Sequence, residues 1–285
     1  MGRITQNLRV ARVVVDDEAV GVDSRADTVA VEEPLEIRVN GTALTTTMRT
    51  PGHDIELVHG LLLSEGVIGE AAEVSTARYC AGATGPDGAN TYNVLEVEVT
   101  PAGPLSELNL LSIRRNLPTS SACGICGTTS IDQILHKRTR PGAPIQPDPR
   151  MIITLPGKLR AHQKLFDRTG GVHAAGIATI DGELLVVRED VGRHNAADKA
   201  IGHMLMRDAA SLEGTILLMS SRASFELVQK AAMAGISGVV AVSAATSLAI
   251  DAAREAGIFL AGFLRGGRFN HYAGELARTP DGDLS

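Results

Sequence analysis

Between Ile216 and Phe263 the chain alternates short apolar runs with segments of helical spacing, and this alternation narrows the accessible folds more than any other feature. Ile216–Met219, Val239–Val242 and Ile258–Phe263 have the length and composition of buried strands, whereas Ala223–Ala234 and Ser247–Ala256 read as helices. Strands joined by helices imply βαβ units, so a largely parallel, helix-covered sheet is expected. Ahead of it the pattern predicts a helix near Pro156–Asp167, a hairpin over Val172–Val187 turning at Asp181-Gly182, and a helix over Ala196–Met206.

The first half is organised differently. Leu35–Val39 and Thr42–Met48 are strand-like runs joined by Asn40-Gly41, a dipeptide suited to the positive φ angles of a type I′ turn. After Pro51-Gly52, the spacing of Ile55, Leu57, Val58, Leu61, Leu62 and Leu63 predicts a helix stopped by Gly66 and weakened at Gly60. Further strands are expected at Val74–Cys80 and Tyr92–Val99. From Pro104 periodicity fades; a helix near Ile131–Lys137 and a stretch with Pro141, Pro144, Pro147 and Pro149 read as a connection. The expected fold class is α+β, with an N-terminal mixed lobe over 1–118, a cysteine loop and connection over 119–150, and a C-terminal α/β lobe over 151–285.

Global chemistry excludes two partner classes. With 27 Lys+Arg against 33 Asp+Glu the net charge is −6, so no basic field draws the chain to nucleic acid. No segment approaches the roughly 20 apolar residues that span a bilayer, and the segment up to Val15 lacks the pattern of a secretion signal, so a cytoplasmic protein that does not enter membranes is expected.

Three cysteines are too few for a disulfide framework, which leaves Cys123 and Cys126 to be explained. They lie in Ala122-Cys123-Gly124-Ile125-Cys126-Gly127, where small residues leave sulfur unshielded. Two thiols three positions apart on a turn entering a helix favour the thiolate, the nucleophilic form. Such a pair can attack a disulfide, bind a soft metal, or carry a persulfide that the second cysteine releases. Structural zinc would need four ligands, and only Cys80 and scattered histidines remain to supply them. A thioredoxin-like motif would sit early in a compact βαβ pattern, not after an α+β lobe.

In the second half, Gly170–Ala175 and Arg188–Asn195 bracket the predicted hairpin. A nucleotide deaminase would place glutamate two residues after its zinc-binding histidine, but Ala175 follows His173 there, so zinc deamination is rejected as chemistry. Asp190, Arg193, His194 and Asn195 fit either a satisfied helix cap or a site. Ser220–Ser224 and Ser243–Ser247 each follow a strand and open a helix, the position at which α/β sheets bind ligands and helix N-termini receive anions. Gly262–Asn270, after the last predicted strand, adds Arg265, Arg268 and close backbone approach at Gly266 and Gly267. A phosphate-bearing ligand is expected.

These motifs, with Glu33–Ile37, Met48–Asp54, Ser220–Lys230 and Ala241–Leu248, resemble those of the FdhD family over nearly the whole chain. Ala245 stands where that family often has proline. The resemblance implies a C-terminal lobe with a cytidine-deaminase-like fold lacking the deaminase zinc. It implies a sulfurtransferase, or persulfide carrier, that takes sulfur from a cysteine desulfurase. The recipient would be the molybdenum cofactor, Mo-bis(molybdopterin guanine dinucleotide), before its insertion into formate dehydrogenase. Cys123 would carry the sulfur and Cys126 assist, with cofactor contacts at Phe263, Leu264, Arg265, Gly266, Gly267 and Arg268 and no metal ligands. The alternative is a cofactor-binding chaperone that turns over no sulfur; a homodimer is left open.

Overall fold

The computed structural model describes residues 3–17, 19–80, 91–100, 142–207 and 212–278. It opens with β1 (Thr5–Val15) and β2 (Val20–Ala30), an antiparallel two-stranded ribbon whose register runs from Thr5↔Ala30 to Val15↔Val20. The sequence reading did not anticipate this ribbon. Most of its side chains face solvent, so burial imposed no apolar alternation that could reveal it.

A four-stranded sheet of order β4-β3-β6-β5 follows, from β3 (Glu33–Val39), β4 (Thr42–Arg49), β5 (Val74–Tyr79) and β6 (Val94–Val99). The predicted turn is present, with Asn40 at φ 50° and Gly41 at φ 74°. The Asn40 side chain accepts from the Val99 amide at 2.8 Å and donates to the Val99 carbonyl at 3.0 Å, pinning the turn to the end of β6. Between β4 and β5 runs α1 (Asp54–Ser64). Part of the segment between β5 and β6, and the predicted helix near Ile131–Lys137, lie outside the described residues, as does the proposed boundary at 118/119.

The C-terminal half begins with α2 (Pro149–Ile152), capped by Asp148 with proline at its first position. The helix predicted over Pro156–Asp167 is two: α3 (Leu155–Arg160) and α4 (Lys164–Thr169). The second starts anew because the Glu189 carboxylate accepts from the amides of Leu165 and Phe166, both at 2.8 Å, at its N-terminus. Then come β7 (His173–Thr179), β8 (Leu184–Asp190), α5 (Arg193–Met206), β9 (Thr215–Met219), α6 (Phe225–Met233), β10 (Gly238–Ala241), α7 (Ser247–Ala256), β11 (Phe259–Arg265) and β12 (Arg268–Ala273).

These strands form one sheet of order β12-β11-β10-β9-β7-β8. It is parallel only across β9, β10 and β11; β7, β8 and β12 join antiparallel, so the expected largely parallel sheet is a mixed one. The expected loop after the last strand is also corrected. β11 runs to Arg265, turns at Gly266 (φ 59°) and Gly267 (φ 74°), and returns as β12, so the glycines serve a hairpin turn.

Helices cover both faces of this sheet. Within β9, Leu217 and Met219 face a large core shared with α1, α5, α6 and the four-stranded sheet, while Ile216 and Leu218 face a smaller core with Ile152, Leu155 and Leu159 from α2 and α3. The helix pair α1 and α5 joins the two halves. A Cβ on Gly60 would run into the Asp198 carbonyl, and one on Gly202 into the Glu56 carbonyl, so each glycine lets the opposing backbone approach.

Candidate functional site

Parallel strands β9, β10 and β11 point the same way, so the loops leaving their carboxyl ends meet at one edge of the sheet. Backbone hydrogen bonds join these loops laterally. The Ala223 amide donates to the Ala244 carbonyl at 2.9 Å, Thr246 to Ala223 at 3.1 Å, and Phe263 to Ser243 at 2.9 Å. Because β7 is antiparallel to β9, its first residues reach the same edge: Ser220 Oγ accepts from the Ala174 amide at 2.9 Å, beside His173. The two serine loops singled out from sequence are therefore neighbours, and Phe263 extends their line.

Close approach shapes the third loop. A Cβ on Gly262 would stand 2.9 Å from the Ser243 carbonyl oxygen, so glycine is required for β11 to pass that loop. Beyond it Phe263 takes a left-handed conformation, φ 56°, at an irregularity in the β11–β12 pairing, and the residue is 38% exposed. Such a conformation is uncommon for an aromatic residue and marks a place to look for function. Arg265, Gly266, Gly267 and Arg268 are exposed on the turn, whereas the Leu264 side chain is buried in the smaller core. Of the six residues expected to contact the cofactor, Leu264 thus offers a ligand its backbone alone.

On the other side of the edge lie the first residues of α5 and α6. His194 Nε2 is 3.5 Å from Ser224 Oγ and 3.8 Å from the Glu226 carboxylate. Burial, with Lys230, Arg193 and Arg222 adding positive charge, drives the His194 imidazole down to about 4 against the pull of Glu226; it is neutral at pH 7. His173 is lowered too, first by burial and then by Arg193. Arg193 Nε is buried and has no hydrogen-bond partner among the described residues.

The rest of the Arg188–Asn195 motif is structural. Buried Asp190 accepts from Lys199 Nζ at 2.6 Å, from the Gly192 amide at 2.8 Å and from the Thr50 amide at 3.1 Å. Burial raises its carboxyl above the ordinary range, with Lys199 opposing. Asn195 donates to the Met48 carbonyl at 2.8 Å. The motif Met48–Asp54 is equally committed: buried Arg49 binds Asp54 at 3.1 Å, Glu33 at 3.4 Å and the Tyr92 carbonyl at 3.2 Å. A cleft of about 370 Å³ opens beside it, bounded by His53, Tyr79, Tyr92 and Met206, with the Tyr79 hydroxyl donating to Asp54 at 3.0 Å. Sequence reasoning assigned no role to Arg49 or Glu226, whose partners become neighbours only on folding.

Cys123 and Cys126 lie outside the described residues. Among the described residues, no three of His, Cys, Asp and Glu converge to hold a metal, and no helix is long and apolar enough to cross a membrane.

A mixed α+β architecture of this kind is shared with a solved structure, that of a candidate formate dehydrogenase accessory protein from Desulfotalea psychrophila. The two match with a TM-score of 0.69 and 23% identity over 96% of this chain and 98% of that one, which establishes a common fold. The family model for the FdhD/NarQ family matches residues 30–278, and the chain belongs to that family. It is 75% identical over 276 residues to the sulfur carrier protein FdhD of Corynebacterium efficiens, covering 97% of this chain and all of that protein. The protein of the same description from Streptomyces avermitilis is 51% identical over 278 residues, covering 96% of each chain.

Proposed function

We propose that this protein is a sulfur carrier in formate dehydrogenase maturation, with Cys123 as the persulfide site. The supporting observation is the full-length likeness, at 75% identity, to a protein described as a sulfur carrier, together with a cysteine pair inside the family-matched region. In the first step the Cys123 thiolate attacks the terminal sulfur of a cysteine desulfurase persulfide. A Cys123 persulfide forms, and the desulfurase thiolate leaves. In the second, the Cys126 thiolate attacks the inner, Cys123 sulfur, giving a Cys123–Cys126 disulfide and releasing hydrosulfide to the molybdenum cofactor. A cellular dithiol then reduces the disulfide. The cofactor is the recipient substrate, and the loop-lined edge from Ser220 to Arg268 is the place where its guanine nucleotide ends would dock.

The sheet and its helices further fit a deaminase-like scaffold that has lost the deaminase chemistry. Ala175, where the general-acid glutamate would stand, is fully buried in the larger core.

Quantitative persulfide labelling after incubation with a desulfurase and cysteine tests the carrier reading. Wild type should acquire one sulfane sulfur per chain and Cys123→Ala none. The variant should also abolish formate dehydrogenase activity in cells lacking the native gene while keeping its melting temperature. Full maturation by Cys123→Ala would refute the persulfide role. Binding of the cofactor without persulfide formation in wild type would favour the chaperone reading.

A further inference from the structure

The β1–β2 ribbon leaves both outer strand edges open: among the described residues no third strand joins it, and its register runs without a bulge from Thr5↔Ala30 to Val15↔Val20. Proline, lysine and bulges are the usual devices that block such an edge, and neither strand contains one. An isolated two-stranded ribbon is at best marginally stable in water, so an added strand would stabilise it. The bonds beyond its two ends fix the phase of the ladder. The Val31 amide donates to the Ile4 carbonyl at 3.0 Å, and the Asp16 amide to the Ala19 carbonyl at 3.1 Å. Hydrogen-bonded positions alternate along an antiparallel pair, so the odd-numbered residues of β2 turn their N–H and C=O groups to β1 and the even-numbered ones turn theirs outward. Val20, Val22, Ser24, Ala26 and Thr28 therefore present the open backbone edge, and Val20 and Val22 are 68% and 67% exposed.

Charge decides which strand can accept a copy of itself. β1 carries Arg9 and Arg12 and no acid, whereas β2 carries Asp23, Arg25 and Asp27. Pairing β2 antiparallel with β2 of a second copy, centred on Ser24, sets each Arg25 opposite Asp23 of the other chain. These fall at positions without ladder bonds, where facing side chains stand closest. The same register sets Val22 opposite Ala26 and Val20 opposite Thr28, at the positions that exchange backbone bonds. A centre at Arg25 would oppose two guanidinium groups, and one at Asp23 two carboxylates. A centre at Ala26 would draw in Ala30, which is partly buried beside Gly171. Within its own chain Arg25 has only Asp27, at 3.9 Å with both side chains about half exposed, so it is free to take the new partner. We propose that β2 pairs with β2 of a second copy about a two-fold axis at Ser24, forming a continuous β1-β2-β2-β1 sheet that bridges a homodimer.

Sedimentation of the full-length protein tests the interface. Wild type should run as a dimer. Ala26→Pro removes an outward N–H and no bond of the β1–β2 ladder, so the ribbon should persist while the dimer gives way to monomer, with circular dichroism and melting checking the fold. Arg25→Asp opposes aspartate to aspartate twice across the two-fold axis and should weaken dimerisation about tenfold or more, whereas Arg25→Lys should dimerise as wild type does. Adding Asp23→Asn to Arg25→Asp should recover part of the affinity, because the opposed carboxylates are gone. A wild type that stays monomeric up to its solubility limit overturns the proposal, as does a dimer equally tight in Ala26→Pro or Arg25→Asp. An open series of larger oligomers would mean that β1 of one copy pairs with β2 of the next, and it overturns the two-fold pairing. No recovery in the double variant overturns the Ser24 register.

Discussion

At the scale of single residues, His194 shows how burial sets a protonation state that sequence leaves open. Its imidazole titrates at about 4 in the fold against an ordinary value of 6.5, because it is buried among Lys230, Arg193 and Arg222 with only Glu226 opposing. Protons therefore bind the unfolded chain more readily. The stabilisation is complete above about pH 6.5 and is lost as the pH falls towards 4, amounting at most to roughly 3 kcal/mol. His194→Gln should flatten that part of the stability curve, measured as the difference in urea midpoints between variant and wild type from pH 7 to pH 4. A difference that stays constant with pH would mean His194 is not held neutral by the fold. At this scale the sequence was half legible. Asp190 and Asn195 read equally well as cap or site, and folding assigned them to structure. His194, in the same motif, instead lies beside Ser224 and Glu226 at the start of α6.

At the scale of elements, periodicity located α1, α7 and the strands β3, β4 and β9 within a residue or two. It failed where no apolar face existed, in the exposed β1–β2 ribbon, and where aromatic and polar residues made up a strand, in β12. Gly60 is more instructive. By propensity alone it weakens α1 by about 1 kcal/mol relative to alanine, so Gly60→Ala ought to stabilise an isolated helix. In the fold its missing Cβ is the space occupied by the Asp198 carbonyl of α5. The obstacle is backbone, which cannot rotate away as a side chain can. Gly60→Ala should therefore destabilise the protein by about 3 kcal/mol, the upper end for overpacking, measured by denaturant unfolding. A neutral or stabilising result would show that α1 and α5 can separate at no cost. Gly202→Ala, which meets the Glu56 carbonyl, should behave likewise.

At the scale of the whole molecule, polar groups distant in sequence fasten the four-stranded sheet and α1 onto the C-terminal half. Arg188 binds the Glu56 carboxylate through two nitrogens at 2.6 and 2.8 Å, 132 positions apart. Burial pushes Glu56 up, but Arg188, His53 and His203 outweigh it and hold the carboxyl well below its usual range. Ser64 donates to Asp198 at 3.1 Å, and Lys199 joins Asp190 to the Thr50 carbonyl at 2.6 and 2.8 Å. No periodicity encodes such pairings, which is why the strands and helices of each half were legible and their junction was not. Lys199 and Asp190 are both essentially inaccessible to solvent, so their worth lies in mutual compensation: removing one leaves the other charge buried alone. Lys199→Met, which keeps the length but not the charge, should cost about 3 to 5 kcal/mol in unfolding free energy. The double variant Lys199→Met with Asp190→Asn should recover much of that loss, because no charge is then stranded. The remaining deficit would measure the lost bonds of Lys199 to the Thr50 carbonyl and of the Thr50 amide to Asp190. If the double variant were as unstable as the sum of the two single ones, charge compensation would not explain the pair, and the junction would depend on each hydrogen bond independently.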